Sequence, residues 1–336
     1  MAGHLPAALM EVLLPAAKYK APAWEIWVAL TSVYIIWGST YLGIRLAIDT
    51  IPPFLMATVR FVIAGTLLYL FRRWRGDPAP RPHEWRSAAV VGLCLIAGGN
   101  GAVVWAEQRV PTGLTALLIG MTPLWIVALD WLRPFHRLRG GPGGQRPATQ
   151  ALFGVLIGFV GVVMLIGLNA LGGLGGVDPL GALALVLGTL LWASGSLYNR
   201  TARLPQSPLM GTAMEMLAGA GGLLVLSFMT GDWGKLDVAA VSTKSVLAVA
   251  YLIVFGSWVA YSAYVWLLRV APTPLVSTYA YVNPVVAIAL GSLFIGERIA
   301  PRELIAAAFI LAAVVLTTTA RAAPQRADGQ LVSSDG

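Results

Sequence analysis

The sequence predicts an all-α integral membrane protein of ten transmembrane helices, arranged as two inverted five-helix repeats. Three observations carry the prediction. The first is composition: 57% of the 336 residues are hydrophobic and 11% charged, with a mean hydropathy of +0.75, whereas a water-soluble globule is roughly one quarter charged. The second is length, because ten apolar runs reach the roughly 20 residues that a helix needs to cross a hydrocarbon core. The third is internal similarity. YIIWGSTYLGIR at 34–45 aligns with TLLWASGSLYNR at 189–200 at an offset of 155 residues.

In chain order the runs are 24–44, 54–71, 87–107, 113–131, 151–168, 180–198, 208–229, 246–267, 274–295 and 303–320. Segment 1–23 carries Lys18 and Lys20 but no continuous apolar stretch ending in a small-residue cleavage site, so it reads as an uncleaved cytoplasmic segment. The first run places Tyr34, Trp37 and Tyr41 at helical spacing, and the second carries Arg60. Gly98-Gly99-Asn100-Gly101 in the third run gives small residues that let neighbouring backbones approach closely. Gly- and Pro-rich stretches at 139–147 and 169–179 punctuate the connections before and after the fifth run. The seventh run holds Glu215, and the eighth holds Trp258, Tyr261 and Tyr264. After Ala320 the chain turns polar, with nothing to bury, and is expected to be disordered.

The fourth and ninth runs share a further signature. Each has a polar residue followed by proline inside an apolar stretch, Thr122-Pro123 in GMTPLWIVALDWL and Asn283-Pro284 in YAYVNPVVAIALGSLFIGE. Proline cannot donate to the carbonyl four residues earlier, Ile119 or Ala280, so each run should bend there and free an acceptor at membrane depth. Discontinuous helices are where repeat-built transporters place their binding sites.

The repeat pairs Trp37 with Trp192, Arg45 with Arg200, Pro53 with Pro208 and Arg60 with Glu215. The Thr-Pro and Asn-Pro sites then match at an offset of 161, and Gly161-Val162-Val163 matches Ala313-Val314-Val315 at 152, the first copy having a longer Arg-rich loop. With five helices per copy, the second must enter the membrane upside down. The expected organisation is a cytoplasmic segment 1–23, a first repeat 24–168, a second, inverted repeat 180–320 and a disordered cytoplasmic tail 321–336. Sixteen Lys and Arg fall on the side of the N-terminus and six on the other, so both termini are expected in the cytoplasm.

Several function classes are excluded. The net charge of +8 lies in short connections rather than in an aromatic-laced basic patch, so it reads as a topology signal and not as nucleic-acid binding. His4, His83 and His136 lie outside the runs and no HExxH appears, leaving metal-dependent hydrolysis without ligands. No GxSxG or Walker A motif is present either. No enzyme activity, cofactor or metal is expected. Cys94 is the single cysteine, which rules out an intramolecular disulfide.

IIWGSTYLGIRLA, PPFLMATVRFVIAGTLL, EMLAGA, YAYVNPVVA and the Gly296-Glu297 pair together resemble the EamA-type ten-helix transporters of the drug/metabolite transporter superfamily, and within it the YedA-like bacterial inner-membrane members. The resemblance covers residues 24 to about 320. It implies efflux of small amphiphilic metabolites, such as amino acids and related compounds, or of drugs, by alternating access through a central cavity in the bacterial inner membrane. The first repeat lacks a counterpart of Gly296-Glu297, so any role of that glutamate need not be symmetric. A non-transporting membrane sensor or scaffold is the alternative, and a membrane-embedded enzyme a more distant one.

Intramembrane charges are the default functional candidates. Arg60 is expected to pair with Glu107 and Glu215 with Arg269, as clasps between helices, with proton exchange at Glu215 as the functional alternative. Trp37, Trp192 and Trp258 fall well inside their runs, with Ser39, Asn100, Thr122, Tyr281 and Asn283 as polar company, and these residues are expected to form the substrate site around the breaks at Pro123 and Pro284. The expected partners are the bilayer, a small neutral, zwitterionic or singly charged molecule, and protons as the candidate coupling ion.

Overall fold

The computed structural model describes residues 21–131, 149–170, 178–276, 278–297 and 301–319, and no strand occurs among them. In chain order the helices are α1 (Ala23–Ala47), α2 (Pro53–Trp74), α3 (Pro82–Ala106), α4 (Thr112–Ile119), α5 (Thr122–Trp131) and α6 (Thr149–Ala170). They continue with α7 (Pro179–Asn199), α8 (Pro208–Met229), the short α9 (Asp232–Lys235), α10 (Thr243–Val270), the short α11 (Thr273–Val276), α12 (Tyr279–Ile295) and α13 (Pro301–Thr319). Among the described residues, α1, α2, α3, the α4–α5 stretch, α7, α8 and α10 are seven helices long and apolar enough to cross a membrane. α6, α12 and α13 occupy the other three expected runs. The 1–23 and 321–336 segments and the Arg-rich loop lie wholly or mostly outside the described residues.

The helix starts are legible. α2, α3, α7 and α8 each begin with proline at the first position, where the missing N–H has no partner to lose. Two acidic residues of the second half cap helices of the first. Asp232 Oδ2 accepts from the backbone N–H of Phe54 at 2.9 Å and Leu55 at 3.3 Å. Glu297 accepts from Thr112 N at 2.9 Å, Thr112 Oγ1 at 2.6 Å and Gly113 N at 3.4 Å, placing a carboxylate at the positive end of α4. Gly296, at φ +68°, ends α12 in the left-handed region that favours glycine and turns the chain so that Glu297 reaches across.

α2 packs on α8, α6 on α13, α3 on α7 and α1 on α10, while α12 lies against α1 and α4. Large apolar side chains also point outward, among them Leu67, Leu187, Val225 and Phe228. A water-soluble bundle would not expose them in such number, whereas lipid accommodates them. Trp24, Trp27, Trp74 and Trp233 are exposed near helix ends, as expected of residues anchoring at the membrane surface.

α1, α3 and α10 each contain a π-helical stretch, at Val33–Trp37, Leu93–Asn100 and Leu252–Tyr261. A π turn holds more residues than an α turn, so it shifts the face on which every later side chain falls.

Candidate functional site

The three π stretches, the α4–α5 break and α7 converge on one cavity. Trp37, Thr40, Tyr41 and Ile44 of α1 line it, along with Arg60 of α2, Asn100 of α3, Thr122 of α5, Trp192 of α7 and Asn283 of α12. Their spacing on α1 is that of one helical face.

The two proline sites meet here and differ in structure. α4 stops at Ile119 and α5 begins at Thr122, and Thr122 Oγ1 donates to the Ile119 carbonyl at 2.7 Å. That is the acceptor which Pro123 releases. α12 instead continues as one helix through Pro284, which corrects the break expected there: the proline is accommodated within Tyr279–Ile295. Asn283, with its amide nitrogen turned toward the carbonyls, donates to Tyr34 O at 3.1 Å and Tyr279 O at 3.3 Å, tying α12 to α1. A Cβ added to Gly120 would stand 2.9 Å from the Ala280 carbonyl, so the α4–α5 break approaches α12 this closely only because that residue is glycine.

The aromatic wall is a connected cluster. The Trp37 and Trp192 rings meet edge to face with centroids 5.7 Å apart, and Tyr279 packs edge to face on Trp37 at 5.5 Å. Tyr264 lies 4.9 Å from Trp37, accepts a hydrogen bond from Trp192 Nε1 at 3.3 Å and shares one with Ser196 at 3.0 Å. Room for the Trp192 ring comes from α3: a Cβ on Gly99 would stand 2.6 Å from Trp192 Cε3.

The Arg60–Glu107 clasp is corrected, and the Glu215–Arg269 clasp is not a contact ion pair. Arg60 makes no ion pair with Glu107. Its Nε donates to Ser257 Oγ at 2.9 Å, its Nη1 is buried without an acceptor, and neither carboxylate oxygen of Glu107 has a hydrogen-bond partner. Arg45 Nη1 reaches the Glu107 backbone carbonyl at 3.2 Å instead. Glu215 is fully buried and accepts from Asn199 Nδ2 at 2.8 Å and Tyr261 Oη at 2.9 Å, while Arg269 interacts with it through charge without a contact ion pair. The physical reason is proximity of neutral donors. Ser257, Asn199 and Tyr261 face these charges directly, and matching ionic residues by depth alone overlooked them. Tyr261 also lines the cavity, so Glu215 stands one hydrogen bond behind its wall.

Two further site expectations are corrected. Trp258 does not reach the cavity; its Nε1 donates to the Ala64 carbonyl on α2 at 2.9 Å, because α10 is π-wound from Leu252 to Tyr261 and a face counted at α-helical spacing is displaced there. Ser39 bonds the Ile36 carbonyl at 2.7 Å and the Tyr251 hydroxyl at 2.5 Å, beside an outer groove shared with Lys244. It lies two residues past Trp37, about 200° round a helix. The side chain of Tyr281 lies outside the described residues. Tyr41, Tyr261 and Tyr279 line the cavity without having been singled out for it, although the spacing from Trp37 to Tyr41 on one helical face was there to read.

Discontinuous and π-wound helices around a buried polar and aromatic cavity define a class, that of the polytopic membrane transporter. The sequence matches the EamA-like transporter family over residues 23–167 and again over 179–319, and the chain belongs to that family. By class it is therefore a membrane transporter and not an enzyme. It is 40% identical over 291 residues to the uncharacterized inner membrane transporter YedA of Escherichia coli (strain K12), covering 86% of this chain and 89% of that protein. It is 26% identical to a WAT1-related chloroplastic protein of Arabidopsis thaliana, over 86% of this chain and 68% of the relative. A crystal structure of a protein 21% identical superposes with a TM-score of 0.62 over 89% of this chain and 98% of its own, which supports the fold alone.

Proposed function

We propose that the chain is a secondary exporter of small amphiphilic metabolites, amino acids or related compounds and drugs, working by alternating access through the central cavity. The observation that carries this reading is the meeting of Trp37, Trp192, Thr122 and Asn283 around one cavity at the two proline sites. In this reading the molecule is two inverted five-helix repeats, 24–168 and 180–320, making ten crossings of the bacterial inner membrane with both termini cytoplasmic. The packing supports it, since α3 on α7 is mirrored by α10 on α1, and α2 on α8 and α6 on α13 pair equivalent helices. Glu215 is the proposed proton-coupling group. What supports that role is its hydrogen bond to Tyr261, a residue of the cavity wall.

The test is flux into inverted membrane vesicles carrying the protein, presented with a panel of amino acids and drugs, with and without a proton gradient. At least one compound should accumulate above vesicles lacking the protein, faster with the gradient. Equal flux in both preparations for the whole panel refutes the exporter, and gradient-independent flux refutes the coupling. In intact cells a membrane-impermeant thiol reagent should label a cysteine placed at Gly172 and not one at Gly141. The reverse pattern inverts the topology.

A further inference from the structure

We propose that Arg60 is the anchor for a carboxylate on the transported molecule, so that the cavity selects aromatic or amphiphilic compounds bearing one carboxylate over their amides and amines. This rests on the cavity being the transport site and adds to it the class of substrate.

The argument begins with an incomplete cation. Arg60 is 3% exposed, and its side chain forms part of the cavity wall. Nε is held by Ser257 Oγ at 2.9 Å, which fixes the plane of the guanidinium, yet Nη1 is buried without an acceptor. The ion pairs among the described residues are Arg72–Asp77, Arg109–Asp178, Lys235–Asp232 and Lys244–Asp49, so no carboxylate of those residues neutralises Arg60. An arginine stays charged at any ordinary pH and presents its N–H groups as a planar fork that fits a carboxylate. Leaving a buried charge uncompensated is strongly unfavourable. A ligand acceptor entering the cavity removes that penalty.

The surroundings pack the guanidinium in place while giving Nη1 no acceptor. The Phe61 ring lies 4.5 Å from the guanidinium carbon, so it occupies a face of the cation and leaves the N–H edge. The Gly256 backbone packs close to the cation, since a Cβ there would come within 2.8 Å of Nη2. The Gly256 carbonyl is in turn held by Trp37 Nε1 at 3.4 Å. The same indole therefore belongs to the aromatic wall and braces the backbone beside the cation. A molecule with a carboxylate at one end and an apolar or aromatic body meets both features at once. A phosphate or other polyanion would bring more charge than one arginine balances.

The experiment separates binding from transport. The purified wild-type protein in detergent is titrated with L-tryptophan, L-phenylalanine and 3-phenylpropionate, and with tryptophanamide and tryptamine, following thermal stability and affinity. The acids should bind at least tenfold more tightly than the amide and amine. Arg60→Gln should erase that preference, Arg60→Lys should keep part of it, and Ser257→Ala, which releases Nε, should weaken it. Acids, amide and amine binding alike, or no acid binding to the wild type, overturns the anchor without any variant having to fold. So does an acid preference that survives Arg60→Gln. Proteoliposome flux of the same compounds then tests the other reading. Arg60-dependent binding of acids without flux leaves the anchor standing and removes transport, while equal flux of acids, amide and amine does the opposite.

Discussion

Arg60 and Glu215 occupy matching positions in the two halves of the sequence, seven residues after Pro53 and Pro208, yet their surroundings differ. Glu215 has two neutral donors, Asn199 and Tyr261, within 2.9 Å. Arg60 has one partner, Ser257, and an amino group facing no acceptor. The repeat therefore preserved the place of an intramembrane charge but not its chemistry. A satisfied charge contributes to holding helices together, whereas an unsatisfied one beside a cavity is poised to bind.

The largest expected effect tests that difference directly. Glu215→Ala strands the Asn199 amide and the Tyr261 hydroxyl in a dry interior, and one unsatisfied buried group costs about 1–3 kcal/mol. Loss of folded protein on size-exclusion chromatography and a fall in Tm should follow. Arg60→Met removes a buried charge that the fold does not neutralise, together with its desolvation penalty, and loses the single hydrogen bond to Ser257. Its Tm should match or exceed the wild type. If Arg60→Met is the more damaging of the two, the contrast is wrong and Arg60 is a structural element.

Much of this was legible in the sequence. Composition and run length located the helices, the Trp37–Trp192 equivalence anticipated two rings that now touch, and the polar-proline pairs marked the place where α4 breaks and α12 meets α1. What was not legible has a common cause. Trp258 was misplaced because π winding in α10 leaves no mark in hydrophobic periodicity. The charge partners were misjudged because a depth along a helix says nothing about which way a side chain faces, and Ser257 and Asn199 are unremarkable residues until the helices carrying them are packed.

The two proline sites offer a second, smaller contrast. Thr122 satisfies a carbonyl of its own chain segment, so Thr122→Val should leave Ile119 O without its donor and lower stability by roughly 1 kcal/mol, with the cavity polarity changed only at its edge. Asn283 bridges to Tyr34 on another helix. Asn283→Ala should therefore cost a similar amount of stability but reduce flux of the identified substrate more than Thr122→Val does, because it loosens α12 against α1 at the cavity. The comparison is between the two ratios of flux to Tm change. Equal ratios would mean that the two proline sites are interchangeable despite one helix being broken and the other continuous.

The smallest effect expected concerns two tryptophans that the sequence treats alike. Trp37 and Trp258 both lie inside apolar runs, but only Trp37 lines the cavity, and Trp258 spends its indole N–H on the Ala64 carbonyl at 2.9 Å. Trp258→Phe keeps most of the apolar packing and deletes that one hydrogen bond between α10 and α2, whose net worth is about 1 kcal/mol. A fall in Tm of a few degrees with unchanged substrate affinity is expected. Trp37→Phe removes both the N–H that braces Gly256 and part of the ring that meets Trp192, so its affinity should fall even where its Tm does not. Measuring both variants by thermal unfolding and substrate titration separates the roles. A loss of affinity in Trp258→Phe equal to that in Trp37→Phe would return Trp258 to the binding wall and require α10 to rotate during the transport cycle.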